Sequence, residues 1–475
     1  MTSSKCTLAG IILLCAAAFC MTDNARATGD NTVSSVVSEK SSNPDPRFDA
    51  LLNEVRSLRD EVQHLRGKTD DSWLTEQRAE EIRALTLDVL ADVDTRASLK
   101  DGGALTLMAG HDGDHFFLKS PDGNFLMGIN GLLQYRWIGN FRGNESGRAS
   151  TSPDDDNETG FEFRRVELGF GGHVFSPEFG YTLVLATEDG AAGVEQLIAQ
   201  DVVLSYAASD NLTWLAGRYF APFLREELMG GGGSLAVALS FMNNNLSIGR
   251  GEGISAVYQT DSFRVHGFLS DGAGSGGGGG VNNPTADGVE LAGTVRADFK
   301  LDGEWGQWGG FSAWEDQPSS FFLGGAIHYQ SGESGDSLAA NDVDLFGWTI
   351  DGSIQNGGFN LFVAAAGNHT ESDTAVDIDN YGFVVQAGYM VVPDKFEPFL
   401  RYEVMMFDEL LGLVEDDVNL ITFGANYYLN DNVELTFDIV WALDPIPGDS
   451  LNAGLLADGV EEDQIVARAQ VQLKF

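Results

Sequence analysis

From Leu105 to the carboxy terminus, apolar and polar residues alternate with a period of two, the pattern of a strand with one face turned each way. Sixteen such runs are legible, near 125–137, 163–175, 179–187, 199–206, 211–219, 250–258, 263–270, 289–299, 321–330, 342–353, 358–367, 381–390, 396–405, 418–429, 432–442 and 464–475. In the last, Ile465, Ala467, Ala469, Val471, Leu473 and Phe475 share one face, while Val466, Arg468, Gln470, Gln472 and Lys474 share the other. A terminal strand this regular frays unless it is paired, so the pattern predicts an antiparallel β-barrel of about sixteen strands closed by its last residues. The connections alternate in kind. Short ones with turn chemistry fall at Ser176-Pro177-Glu178, Ala208 to Asp210, Gln259 to Ser262, Gln355-Asn356-Gly357, Val392 to Lys395 and Asn430-Asp431. Long acidic ones lie between them, at Asp154 to Glu158, Glu188-Asp189, Glu371 to Asp379, Glu415 to Asp417 and Asp458 to Asp463. That asymmetry predicts a transmembrane barrel of the outer-membrane type. Leu301 to Ser320 breaks the rule, being long where a short turn belongs, and leaves sixteen or eighteen strands open.

Ahead of the strands the period is helical. Phe48, Leu51, Val55, Leu58, Val62 and Leu65 are spaced alternately three and four apart, which predicts a short coiled coil, and a second helical stretch places Ile82, Leu85 and Val89 on one stripe. The domain order expected is therefore a secretory signal over 1–27, a disordered lead over 28–46, a coiled-coil segment over 47–100 on the periplasmic side, and a barrel over 101–475. Lys5, the apolar Leu8 to Cys20 and Ala25-Arg26-Ala27 supply the parts of the signal.

Charge narrows the partners. Removing the signal leaves 26 basic and 70 acidic residues, which excludes nucleic acid. All three cysteines lie within the signal, so the exported chain has neither disulfides nor cysteine-bound metal. Along the strands the charges keep to one parity: Leu400, Tyr402 and Val404 oppose Glu397, Arg401 and Glu403, and Val433 to Trp441 oppose Glu434, Thr436 and Asp438. A charge on a lipid face near the midplane costs about 2–4 kcal/mol, so a bilayer enforces such sorting. The charged parity is nearly balanced in sign, which predicts a water-filled lumen whose charges pair across the wall.

Phe220 to Gly249 is unlike the other connections, with few charges, the run Gly230 to Gly233 and an apolar stretch from Leu235 to Phe241. Exposed, it would be a sticky patch, so it is expected to fold into the barrel. Phe163 to Gly172, Phe179-Gly180-Tyr181, and Gly217 to Phe223 with Glu226-Glu227, in that order, resemble landmarks of the phosphate-selective porin O and P family. Ser120 to Phe125, Gly131 and Gln134-Tyr135-Arg136 are similar to that family's first strand. The resemblance spans roughly Leu105 to Phe475 and implies a sixteen-stranded homotrimeric outer-membrane channel whose third loop narrows the pore. Phosphate selection in that family uses a ladder of Arg and Lys, whereas here the constriction loop offers Arg225 beside Glu226 and Glu227.

The residues expected to set the field along the pore are Arg136, Arg165, Arg225, Glu226, Glu227, Arg264 and Arg401. No catalytic group, metal or cofactor is expected. His111 to His115 reads as a hairpin turn rather than a metal site, and no histidine joins a serine and an acid in a recognisable arrangement. The expected function is passive diffusion of ions and small polar solutes through an outer-membrane porin, surrounded by lipid and weakly preferring cations. Two alternatives stand beside it: a phosphate- or anion-selective porin, and a structural protein anchoring the coiled coil to the cell wall.

Overall fold

Backbone groups facing lipid have no water to bond, so a strand array in a bilayer must close on itself. This one does. The computed structural model describes residues 54, 56–61, 107–111, 115–142, 157–189, 195–272, 291–331, 343–372, 376–408, 417–447, 453–456 and 464–475. Two short strands come first, β1 Met108–His111 and β2 Phe116–Lys119. The wall follows as β3 Leu126–Phe141, β4 Asn157–His173, β5 Phe179–Asp189, β6 Glu195–Ala207, β7 Leu212–Phe220, β8 Arg250–Gln259, β9 Phe263–Ser270 and β10 Leu291–Asp302. It continues as β11 Ser320–Ser331, β12 Val343–Asn356, β13 Phe359–Ser372, β14 Ile378–Tyr389, β15 Phe396–Met406, β16 Asp417–Asn430, β17 Val433–Ala442 and β18 Ile465–Lys474.

Each wall strand pairs antiparallel with its chain neighbours, and β18 pairs with β3 from Ile465↔Phe141 to Lys474↔Leu132. The fold is a closed, sixteen-stranded, antiparallel transmembrane β-barrel. All sixteen predicted runs fall on these strands, and the long connection between β10 and β11 hides no further wall strand. β1 and β2 form a hairpin that continues the line of β18 along the start of β3, from Phe116↔Ile129 to Lys119↔Leu126. His111 and His115 flank its tip, whose residues 112–114 lie outside the described ones.

The outer face is largely apolar: Leu204, Ile254, Val295, Ile327, Ile350, Leu400, Phe423 and Val471 are all exposed, while Arg218 on β7 and Glu252 on β8 share that parity and stand opposite each other. Aromatic residues gather at its two ends. At the turn end Phe125 meets Phe175 at 5.5 Å and Phe179 meets Tyr206 at 4.9 Å; at the loop end Tyr135 meets Phe163 at 5.0 Å. Such girdles sit at the headgroup level of a bilayer, where an amphipathic ring is most favourable. Among the described residues no helix is long and apolar enough to cross a membrane.

The chain divides into two compact units, Met1–Asp101 and Gly102–Phe475. In the first, Arg56–Glu61 is helical and exposed; the signal, the lead, most of the heptad positions and the second helical stretch lie outside the described residues. So do parts of the acidic connections, while Glu158, Glu188, Asp189 and Asp417 are built into strand ends.

Candidate pore constriction

Two segments fold into the lumen from opposite ends. The first is 221–249, between β7 and β8, which carries the short helices α1 Arg225–Leu228 and α2 Phe241–Leu246. Its apolar side chains pack on the inner faces of β13 to β17: Leu235, Phe241, Met242 and Leu246 join Ala364, Ala366, Val384, Met405, Val418, Leu420 and Val440 in one buried cluster. Gly382 of β14 has no Cβ because Met242 lies directly over it. Burial at about 25 cal/mol per Å² of apolar surface holds the loop down, and explains why so uncharged a connection suits the inside of the barrel.

Wall charges then fix its backbone. Asp438, paired with Arg468 at 2.6 Å, accepts the Val237 N–H at 2.9 Å. Arg401 donates to the Ala238 carbonyl at 2.9 Å and pairs with Glu403 at 2.6 Å, and Glu403 in turn accepts the Phe241 N–H. Arg296 donates to the Phe223 carbonyl at 2.8 Å while pairing with Asp298 and Asp351, each at 2.7 Å. Ser240 caps α2, accepting the Asn243 N–H at 3.0 Å, and donates its hydroxyl to Glu226.

The second segment is the long connection 303–319 between β10 and β11. It turns inward through a 3-10 helix, Trp305–Gly309. Trp308 donates its indole N–H to Asp298 at 3.2 Å, Gln355 donates to the Gly310 carbonyl at 2.8 Å, and Ser312 donates to Glu397 at 2.8 Å. Phe311 lies against Phe362 with ring centroids 4.4 Å apart.

Arg225 joins the two segments. Its guanidinium donates to the Trp308 carbonyl at 3.1 Å and to the Ser353 hydroxyl at 2.7 Å, lies 4.0 Å from Asp351, and sits 5.2 Å from the Trp308 ring. Higher up, the Phe311 N–H donates to the Gly233 carbonyl at 3.3 Å. A Cβ on Gly233 would stand 2.5 Å from the Gly309 carbonyl oxygen, so the two backbones pass at a distance only glycine permits. A cavity of about 190 Å³ remains between the segments and the wall.

The expected field residues therefore separate into two groups. Arg225, Glu226, Glu227 and Arg401 are buried at the attachment of the loop, and Arg136 is buried beside Glu162. Arg165 and Arg264 keep about a fifth of their side chains open to the lumen, paired with Glu167 at 3.2 Å and Asp298 at 2.9 Å; Arg264 also lies 4.2 Å from the Trp308 ring. Burial pushes the Glu227 carboxyl up to about 7, against the hydroxyl it accepts from Ser247 and the nearby Arg250 and Arg165. Its second oxygen makes no hydrogen bond among the described residues.

Sequence reasoning missed Arg164, Asp351 and the inward turn. Arg164 is the extra residue of a β-bulge, since Gln134 faces Arg165 while Tyr135 faces Phe163. Strict alternation puts Arg164 outside; the bulge reverses parity across it and lets both arginines reach the lumen. Arg164 forms no hydrogen bond or ion pair among the described residues. The turn did carry a signal, its anomalous length together with three tryptophans, Trp305, Trp308 and Trp314.

Among solved structures, the barrel is similar to the anion-selective porin from Comamonas acidovorans, with a TM-score of 0.52 and 16% identity over 74% of this chain and 99% of that one. That likeness places the fold among porin barrels. Lower scores relate it to the trimer form of OmpT of Vibrio cholerae, at 0.49 with 13% identity over 74% and 99% of the chains. The channel DcaP of Acinetobacter baumannii scores 0.48 with 14% identity over 75% and 99%. No family model matches the chain, and no curated protein is detectably similar to it.

Proposed function

We propose that this chain is an outer-membrane porin passing ions and small polar solutes down their gradients, with its termini and turn end in the periplasm. The single observation that carries the reading is a closed, largely apolar-sided wall whose interior, entered by two tethered segments, keeps a cavity of about 190 Å³ between them and the wall. The resemblance to the phosphate-selective porin O and P family supports the same class, and with it assembly as a homotrimer. The coiled-coil segment then lies in the periplasm, available to the cell wall.

Selectivity is weak and favours cations. Most basic groups described on the wall are neutralised by partners, while the net charge of −43 resides largely in acidic connections at the loop end, where it gathers cations at the mouth. Arg225, the one arginine in the constriction loop, is buried and occupied, so a phosphate ladder has no rung there. An anion preference like that named for the Comamonas porin would rest instead on Arg164 and Arg165. A structural reading is favoured by one fact, the close passage of Gly233 and Gly309.

Single-channel recording of the folded protein in a planar bilayer under a potassium chloride gradient separates the three. The porin reading expects discrete steps with a reversal potential on the potassium side. Steps on the chloride side, blocked by phosphate, would move the protein to the anion class. A silent, correctly folded barrel would leave the structural reading.

A further inference from the structure

The cavity between the two segments has a lining that the porin reading alone does not require. Its charged residues are one of each sign: Glu434 on β17 and Lys474 on β18. Such a lining offers no net field to hold an ion. The rest is aromatic, amide, hydroxyl and glycine backbone.

Several of these groups are already occupied. Tyr428 and Ser312 both give their hydroxyl protons to Glu397, at 2.7 and 2.8 Å, and Gln355 is held by Gly310 and Ser320. Glu434 accepts from the Gln472 amide at 2.9 Å and retains acceptor capacity. Three lining groups make no hydrogen bond or ion pair among the described residues: the Trp314 indole N–H, the Gln317 amide and the Lys474 ammonium. Trp314 is held edge to face on Tyr428, centroids 4.6 Å apart, which fixes an indole at the cavity wall. Gly232, Gly233, Gly306 and Gly309 carry no side chains into the space, so a solute reaches peptide groups directly.

We propose that this cavity is a subsite for an uncharged polyhydroxylated solute of about monosaccharide size. The assignment rests on the porin reading and names the class of solute that lingers at the constriction. A hydroxyl is donor and acceptor at once, so one ring of them can use an indole N–H, a carboxamide, an ammonium and a carboxylate together. The C–H face of such a solute lies on the Trp314 and Tyr428 rings, which keep apolar area in a polar passage. An inorganic anion uses only the donors, and a metal cation only the acceptors. A zwitterion's ammonium needs a full counter-charge, whereas the buried Glu434 already holds the Gln472 amide and has only spare lone pairs to offer, which is enough for a hydroxyl.

The test is current block by D-glucose on the full chain in a planar bilayer, with glycerol as the osmotic control. Saturable block by glucose is expected, with the half-block concentration raised about tenfold in Trp314→Ala and severalfold in Gln317→Ala. Trp348→Phe, on the outer face, is expected to leave it unchanged. Unsaturable reduction of current, an unchanged half-block concentration in Trp314→Ala, or stronger block by phosphate or by alanine than by glucose would each overturn the assignment. Titration calorimetry of glucose against the detergent-folded barrel reads binding without conduction. A silent channel that binds glucose loses the porin reading and keeps the subsite, while a conducting channel that shows neither block nor heat loses the subsite alone.

Discussion

The two inward segments narrow one lumen by opposite means. Residues 221–249 hold on through apolar area, spread over the inner faces of five strands, with wall charges clamping individual peptide groups. Residues 303–319 use hydrogen bonds and aromatic edges. The first is a covered surface and resists water; the second is a polar insert that lives beside it. Large buried area tolerates the loss of one bond, whereas a hydrogen-bonded insert depends on each partner, because a buried polar group left alone costs about 1–3 kcal/mol.

The largest expected effect comes from removing the insert. Replacing 304–318 with Asn-Gly turns the connection into a tight hairpin. Unit conductance should then rise severalfold while 221–249 stays protected from protease; unchanged conductance would mean the insert does not bound the pore. Arg225→Met is next, since it keeps the alkyl stem and removes the guanidinium that serves both segments. It leaves the Trp308 carbonyl and Ser353 without their donor and should cost about 3 kcal/mol, read as a lower unfolding midpoint together with proteolytic sensitivity in both segments. Sensitivity in only one of them would refute the joint.

Gly233→Ala probes the crossing itself. The added methyl group pushes the backbones apart at a cost of about 1–2 kcal/mol, seen as a lower midpoint with changed conductance, in contrast to Gly232→Ala, where nothing stands near the new carbon. The smallest effect is that of pH on the loop alone. Below about 4.5 the Glu227 carboxyl is protonated whether the loop is tucked or released, and between there and about 7 only the released loop ionises. The tucked state therefore loses free energy as pH rises through that window and loses no more above it. Open-channel noise should grow from pH 5 to pH 8 in the native protein and stay flat in Glu227→Gln.

Legibility followed period. The sixteen runs, the parity of Leu400 against Arg401, and the inward fate of Leu235 to Phe241 could be read from residues because each is a local pattern with one physical solution in a bilayer. Arg164 could not, because a bulge is decided by pairing with β3 rather than by its own neighbours. Nor could the placement of Arg225. In sequence it stands beside two glutamates in a loop, and only the arrival of Trp308 from the second inward segment and of Ser353 and Asp351 from β12 turns an expected pore charge into a buried joint.

What the chain determined by itself is its solvent on each face: alternation with apolar residues on one parity suits lipid outside and polar groups within, and the terminal strand supplies closure. What only the tertiary structure decided is how the lumen is filled. Balanced charges on an inner wall pair with whatever enters, and which peptide groups enter depends on contacts between segments tens of residues apart. A period of two records the side a residue faces; it holds no information about what comes to meet it there.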